Sequence, residues 1–262
     1  MENPKKNIRL VSNKNSRVIL PNIMTLVGVC IGLTSIKFAF DGRFELSVIA
    51  VLIAAIIDGL DGRIARLIDG TSEFGKELDS LTDFVSFGIA PAFILFFWEL
   101  KNYGKIGWAI TLIFSVCCVL RLARFNLTKT QKEEEWKVNY FEGIPSPAGG
   151  ILVLMPLIFE LSSFNIGFEV KNLTPYLAII ISILLISKIP TFSFKKIAIQ
   201  RRLTMFLFLG IGIISISLIF YTFETLVILG LIYFFLIPIG VLSYKKNVSS
   251  KNFTEDEHED IL

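Results

Sequence analysis

Histidine is almost absent from this chain, and cysteine is scarce. The one histidine, His258, lies in an acidic segment, and the three cysteines, Cys30, Cys117 and Cys118, lie inside apolar runs. A thiol in such a run behaves as a small hydrophobic group, so disulfides and a thiolate-bound metal are not expected. Because imidazole is the commonest general base of enzymes, any proton transfer here is expected to use a carboxylate or a less usual group.

Long polar stretches are also lacking between the apolar runs. The 262 residues are 53% hydrophobic with 24 phenylalanines, and the apolar runs are about 20 residues long, enough for a helix to cross a bilayer. The first run is too long for a signal-peptide core and lacks a cleavage site. We expect an all-α integral membrane protein, a polytopic bundle of about eight transmembrane helices, with Pro91 bending the third. The predicted spans are residues 18 to 40, 45 to 60, 78 to 98, 105 to 123, 147 to 163, 173 to 190, 203 to 221 and 224 to 243.

The basic residues are distributed unevenly between alternate loops. Most of the 26 Lys and Arg fall in the N-terminal tail, in every second loop and in the C-terminal tail, and few fall in the other loops. The positive-inside rule then places both termini in the cytoplasm, at the cell membrane. The basic tail before residue 18 either binds anionic lipid or is simply solvated. A net charge of +3 gives no support to nucleic-acid binding.

Four aspartates lie at the junction of the second and third spans. Asp58 and Asp61 are three residues apart, and Asp79 and Asp83 are four apart, so each pair lies on one face of its helix. Ionisable groups are costly near a bilayer and are by default functional. A polar connecting loop is the simpler alternative.

Converged carboxylates need cations. At about 4 Å and an effective dielectric of about 20, each pair repels by roughly 4 kcal/mol. Hard oxygen ligands without His or thiolate favour Mg²⁺, Mn²⁺ or Ca²⁺, and a metal pair suits phosphoryl displacement. Arg66 could bind the remaining phosphate oxygens, or it could only mark the membrane boundary.

The same residues carry a resemblance to a known family. The spacing of the four aspartates with the residues between them is similar to the signature of the CDP-alcohol phosphotransferases at every position. These membrane enzymes displace CMP from a CDP-linked lipid with an alcohol, or, in the reverse pairing, from a CDP-linked alcohol with a lipid. The resemblance implies a six-helix core over residues 18 to 190, two further helices over 191 to 245, polar tails at 1 to 17 and 246 to 262, two divalent cations (Mg or Mn) and a homodimer. The matching residues are Asp58, Asp61, Gly62, Ala65, Arg66, Gly75, Asp79 and Asp83.

The resemblance also implies roles for these residues. Asp58, Asp61 and Asp79 resemble the metal ligands, and Asp83 resembles the carboxylate that binds metal and acts as the general base, although spacing alone does not say which aspartate takes the proton. The CDP-lipid pocket would be lined by Gly62, Ala65, Arg66 and Gly75. The segment Pro21 to Thr25 resembles one near the nucleotide, or it only begins a helix.

Two further segments bear on the acceptor alcohol. They end span 4 at Arg121, Arg124 and Asn126, and precede span 5 around Ser146. Both are similar to segments of the family members that use L-serine and CDP-diacylglycerol, releasing CMP and phosphatidylserine. Either arginine could bind the serine carboxylate, with Asn126 and Ser146 as polar contacts, or the arginines could only anchor the helix in the membrane.

Several other functions stay open. Within the family, the chain could make phosphatidylglycerophosphate, phosphatidylinositol phosphate or phosphatidylcholine. A membrane prenyltransferase would carry two aspartate motifs far apart, and a cation transporter would be expected to show internal repeats and discontinuous helices; neither pattern is found in the sequence.

Overall fold

The computed structural model describes residues 13–128, 140–164, 169–192 and 201–259. Four helical segments are long and apolar enough to span a membrane, at Val18–Phe40, Glu73–Trp98, Leu100–Leu127 and Thr222–Tyr244, and Val170–Ile186 and Met205–Phe220 are shorter apolar helices. Such helices form because a backbone in lipid must satisfy its hydrogen bonds within its own segment. The chain is a multi-pass helical membrane protein, as predicted.

Each predicted span corresponds to a helical region. The third and fifth spans consist of two helices each. The helices are α1 (Asn13–Phe40), α2 (Phe44–Leu67), α3 (Glu73–Asp83), α4 (Ala90–Trp98), α5 (Gly104–Thr128), α6 (Ser146–Val153), α7 (Met155–Leu161), α8 (Thr174–Ile186), α9 (Arg201–Phe220) and α10 (Thr222–Glu259).

Prolines account for the two interrupted spans. A π-helical segment, Phe84–Ile89, joins α3 to α4 just before Pro91, and α6 ends one turn before Pro156, which lies in the first turn of α7. Proline lacks the N–H that would continue the hydrogen-bond ladder. The expected bend at Pro91 is therefore preceded by a local change of helix type, which places Asp83 at the end of α3.

Glycines let α1 and α6 approach the π-helical segment. A Cβ on Gly32 of α1 would lie 3.1 Å from Ser86 Cα, and one on Gly150 of α6 would lie 3.0 Å from Phe87 O. Small residues at such contacts allow close backbone packing in membranes. The buried core continues from here between α4, α5, α7 and α8, and includes Ile94, Phe114, Leu157 and Ile181.

A short antiparallel sheet joins two loops on the side of the molecule where α5 and α8 end. Strand β1 (Tyr140–Glu142) pairs with β2 (Pro190–Phe192), an addition that the all-α prediction omits. The turn after β1 requires glycine, since Gly143 has φ of 73° and a Cβ there would lie 2.8 Å from Ser187 O. Helix α10 packs against β2, so the sheet links the last helix to the rest of the bundle.

The predicted tails are described only in part. Residues 1 to 12 of the basic tail lie outside the described residues, as do 260 to 262 of the C-terminal one. Helix α10 continues to Glu259, past the predicted end of the last span. Large side chains of α9 are mostly exposed, with Phe208 at 68% and Phe220 at 75%, a surface suited to lipid.

Candidate active site

A tight connection between α2 and α3 turns the chain so that the two aspartate pairs face each other. Helix α2 ends in a Schellman motif, in which the Gly70 N–H donates to Ala65 O at 2.8 Å and Asp69 has φ of 52°. Helix α3 then begins at Ser72, whose hydroxyl accepts from the Gly75 N–H at 3.0 Å, a normal N-cap. Two strong end signals within five residues fix the angle between the helices.

The four aspartates converge. One carboxylate oxygen from each of Asp58, Asp61 and Asp79 lies within 4.8 Å of the others. The side chain of Asp83 lies within hydrogen-bonding distance of Asp58. Two ionised carboxylates at this separation repel each other strongly, so a cation or a shared proton must lie between them. The arrangement predicted from the spacing is thus present in the fold.

The donor set fits divalent cations. All the ligands are carboxylate oxygens, which suit hard ions such as Mg²⁺ and Mn²⁺. Asp83 Oδ1 is buried and has no hydrogen-bond partner among the described residues, and such an atom normally has one in a complete site. Within the described chain, the fold therefore provides both the cluster and an unused ligand atom beside it.

Helix α1 orients one of the carboxylates. The buried hydroxyl of Thr25 lies 2.6 Å from Asp61 Oδ2 and 3.0 Å from Pro21 O, and Asp61 is only 3% exposed. A group that hydrogen-bonds to a metal ligand holds it in position and tunes its affinity for the ion. The segment that resembled a nucleotide-binding one thus also supports the aspartate cluster.

A cavity of about 300 Å³ opens beside the aspartates. Asp61 and Asp79 form part of its wall, and the cations Arg66 and Lys76 form another part. Lys76 is paired with Glu73 at 2.6 Å, whereas Arg66 has no ion-pair partner in the described part of the chain. The residues predicted to bind the CDP-lipid all line this cavity, namely Gly62, Ala65, Arg66 and Gly75, and so do Pro21, Asn22 and Thr25.

A second polar group lies where α5 meets the start of α6. Arg121 of α5 is buried, with 7% exposure. It donates to the hydroxyl of Ser146 at the start of α6 and lies 5.3 Å from the ring of Phe125. It also interacts electrostatically with Asp83. The predicted pair Arg121 and Ser146 is therefore brought together next to the aspartates.

The other two predicted acceptor residues have different contacts. Arg124 donates to Ile186 O at 2.5 Å and to Leu185 O at 3.3 Å, which satisfies carbonyls at the end of α8. Asn126 donates to the Ser80 hydroxyl at 3.0 Å, which ties α5 to α3. Of the two arginines, the structure places Arg121 beside the aspartates.

Comparison with known proteins agrees with this geometry. The sequence profile of the CDP-alcohol phosphatidyltransferase family matches residues 18–239. The chain belongs to this family. Members of the family use divalent metals, in keeping with the aspartate cluster of this member.

Individual relatives have informative names. The chain is 42% identical over 176 residues to CDP-diacylglycerol–serine O-phosphatidyltransferase of Mycobacterium leprae, covering 66% of this chain and 57% of that protein. It is 33% identical over 229 residues to the protein of the same name from Mycobacterium tuberculosis, covering 87% and 79%. It is 33% identical over 178 residues to archaetidylserine synthase of Methanothermobacter thermautotrophicus, covering 66% and 70%.

Some residues of the cavity were not predicted from the sequence. Gly70, Thr71, Ser72 and Lys76 also line the cavity. The sequence Asp69-Gly70 predicts a turn in the loop between the aspartate pairs. The spacing of the aspartates does not predict that this loop lines the cavity. Only the packing of α1 against α2 and α3 closes this wall.

Gly62 offers a test of the cavity in this family member. A Cβ on Gly62 would meet nothing within 4 Å, and the same holds for Gly59 one turn earlier in α2, which does not line the cavity. Replacing Gly62 by Leu is expected to raise the KM for the CDP-lipid about tenfold or more, because extra carbons in a site filled by ligand usually cost about 1 to 3 kcal/mol.

Gly59→Leu is the matched control. Both variants should keep the melting temperature of the parent, since neither side chain meets the protein. Equal KM values for the two variants would show that the CDP-lipid does not occupy this cavity.

Proposed function

We propose that the protein transfers the phosphatidyl group from CDP-diacylglycerol to L-serine, giving phosphatidylserine and CMP. The observation that carries the proposal is the convergence of three carboxylates within 4.8 Å at the edge of the CDP-lipid cavity. The names of the relatives support the acceptor, since serine appears in each while the lipid differs.

The donor would bind with its diphosphate beside the aspartates. Arg66 and Lys76 lie in the same cavity wall, and Arg66 is suited to paired contacts with phosphate oxygens. The small side chains of Gly62, Ala65 and Gly75 leave space in the cavity, which suits a flat nucleotide. The lipid chains would remain in the bilayer. Asp58, Asp61, Asp79 and Asp83 would hold two divalent cations, Mg²⁺ or Mn²⁺, which when bound supply positive charge to the diphosphate oxygens.

Asp83 would start the transfer. Its unpartnered Oδ1 is available to accept the proton of the serine hydroxyl. The serine oxygen then forms a bond to the phosphorus that carries diacylglycerol, and the bond from that phosphorus to the CMP oxygen breaks, with the electron pair leaving on CMP. Arg66 would stabilise the charge that develops on the departing phosphate. Arg121 and Ser146 would hold the acceptor.

The test is release of CMP from CDP-diacylglycerol by the purified protein with one acceptor at a time. L-Serine should support turnover at least about a hundred times faster than glycerol 3-phosphate, inositol phosphate or choline, because a site that hydrogen-bonds a polar group rejects acceptors lacking it. Faster turnover with another acceptor would assign the chain to a different reaction of the same family. Metal-dependent ion flux without CMP release would favour a transporter.

The site is proposed to face the cytoplasm at the cell membrane, with both termini on that side. The support is the distribution of Lys and Arg, since Arg63, Arg66 and Lys76 lie between the two aspartate pairs in the sequence while few basic residues lie in the loops at the other helix ends. Access of a thiol reagent to a cysteine placed in the α2–α3 loop of sealed vesicles tests this orientation. The homodimer, the six-helix core with its extension, and the lipid contact of the basic tail stay predictions.

A further inference from the structure

Two buried polar atoms without hydrogen-bond partners belong to residues that interact electrostatically with Arg121. Among the described residues, four buried side-chain atoms make no hydrogen bond, and these include Asp83 Oδ1 and the Tyr233 hydroxyl. Arg121 interacts electrostatically with both residues. Native proteins leave few buried polar groups unpaired, because each costs free energy. Two such atoms around one buried cation indicate a place where a polar ligand completes the hydrogen bonding.

Tyr233 reaches this place from the last helix. Helix α10 packs against β2, and the Tyr233 side chain lies beside Thr191 of that strand. The Thr191 hydroxyl donates to Gly143 O at 2.7 Å, so its proton is already used. By its geometry the Tyr233 hydroxyl, although it is close to Thr191, makes no hydrogen bond with any described residue, so its proton is available to a ligand.

Arg121 itself has unused donors. A guanidinium carries five N–H groups, and the described contacts of Arg121 are the hydroxyl of Ser146 and the face of Phe125. It makes no ion pair with any described residue at 4.0 Å or less. A buried cation that has no anion in direct contact is costly. An anion that binds here would meet a guanidinium and a phenol, both of them donors.

We propose that Tyr233 determines acceptor specificity by donating a hydrogen bond to the carboxylate that Arg121 binds. This inference rests on the proposed function, in which the acceptor is L-serine. The serine carboxylate would lie between Arg121 and Tyr233, and the serine hydroxyl would be directed to Asp83. The last helix, α10, which lies outside the predicted core, thereby acquires a role in recognising the amino-acid acceptor.

The experiment compares two acceptors, L-serine and L-serinamide, which lacks the carboxylate. Tyr233→Phe removes only the hydroxyl. It is expected to raise the KM for L-serine about ten- to a hundredfold, which is the usual effect of losing a hydrogen bond to a charged group. The KM for CDP-diacylglycerol and the turnover of serinamide should stay within about twofold of the parent, because neither uses that hydrogen bond.

Tyr221→Phe is the matched control, since Tyr221 is 65% exposed at the junction of α9 and α10. It should leave all three quantities unchanged. If the parent uses serine but Tyr233→Phe has the parental KM for serine, the role proposed for Tyr233 is wrong and the proposed function stands. The same conclusion follows if Tyr233→Phe impairs the reactions with serine and with serinamide equally. If the parent shows no serine-dependent CMP release, the proposed function fails and the inference fails with it.

Discussion

Replacing Asp83 by Asn is expected to lower serine-dependent CMP formation by about 10²- to 10⁴-fold, the usual contribution of a general base. The amide has the shape of the carboxyl group and can donate a hydrogen bond to Asp58, so the contact between the two side chains is kept. The proton acceptor and one negative charge are lost. The measurement is kcat at saturating serine, CDP-diacylglycerol and Mg²⁺ or Mn²⁺.

The control for this variant is Asp41→Asn. Asp41 is paired with Lys37 at 2.5 Å, before the end of α2 that lies opposite the cluster, and an exposed pair of this kind contributes little to stability. Asp41→Asn should keep the parental kcat. Retention of more than about a tenth of the parental kcat by Asp83→Asn would exclude Asp83 as the base and direct attention to Asp58.

Metal titration of the chelator-treated protein has the other large expected effect. Activity should disappear in excess EDTA and return on addition of Mg²⁺ or Mn²⁺, because the clustered carboxylates cannot bind a diphosphate without cations between them. Thr25→Val, which removes the hydroxyl that positions Asp61, should raise the metal concentration needed for half-maximal activity about 10- to 100-fold. The readout is CMP release against free metal concentration.

Thr34→Val provides a close comparison in the same helix. The Thr34 hydroxyl donates to Cys30 O at 2.6 Å, the same backbone contact that Thr25 makes with Pro21, but Thr34 is exposed and makes no hydrogen bond to a carboxylate within the described part of the chain. The Thr34→Val variant should need the same metal concentration for half-maximal activity as the parent. Undiminished activity in EDTA would overturn the metal proposal. Equal shifts in the metal concentration for half-maximal activity in both threonine variants would show that Thr25 has no specific role in metal binding.

Local sequence patterns predicted the helices well. The predicted and observed helical regions agree because each apolar run must close its own hydrogen bonds in lipid, a constraint that acts within about 20 residues. The helix interruptions at the π-helical segment and at Leu154 were harder to predict from the sequence. Pro91 indicated an irregularity, but its form depends on how closely Gly32 and Gly150 pack against residues 86 and 87.

In the candidate site, too, some features follow from the sequence and others depend on the tertiary structure. The aspartates and the cavity residues Gly62, Ala65, Arg66 and Gly75 lie within 26 residues of sequence, joined by one short turn, so their spacing carried most of the geometry. The acceptor side was ambiguous, since Arg121 and Arg124 lie on one helix face and have the same charge. Their different contacts, Ser146 for one and the end of α8 for the other, depend on helices far away in the chain.

The sequence by itself determined that this is a multi-pass helical protein with clustered aspartates, because apolar run length and local helical spacing place those groups, and the residues among the aspartates carry the resemblance to the CDP-alcohol phosphatidyltransferase family that the family comparison bears out. Only the tertiary structure decided that Thr25 supports Asp61, that Arg121 lies beside Asp83, and that Tyr233 approaches from the last helix. These contacts join residues 36 or more positions apart, and they exist only because side-chain packing between helices selects one arrangement from many that satisfy the same local pattern.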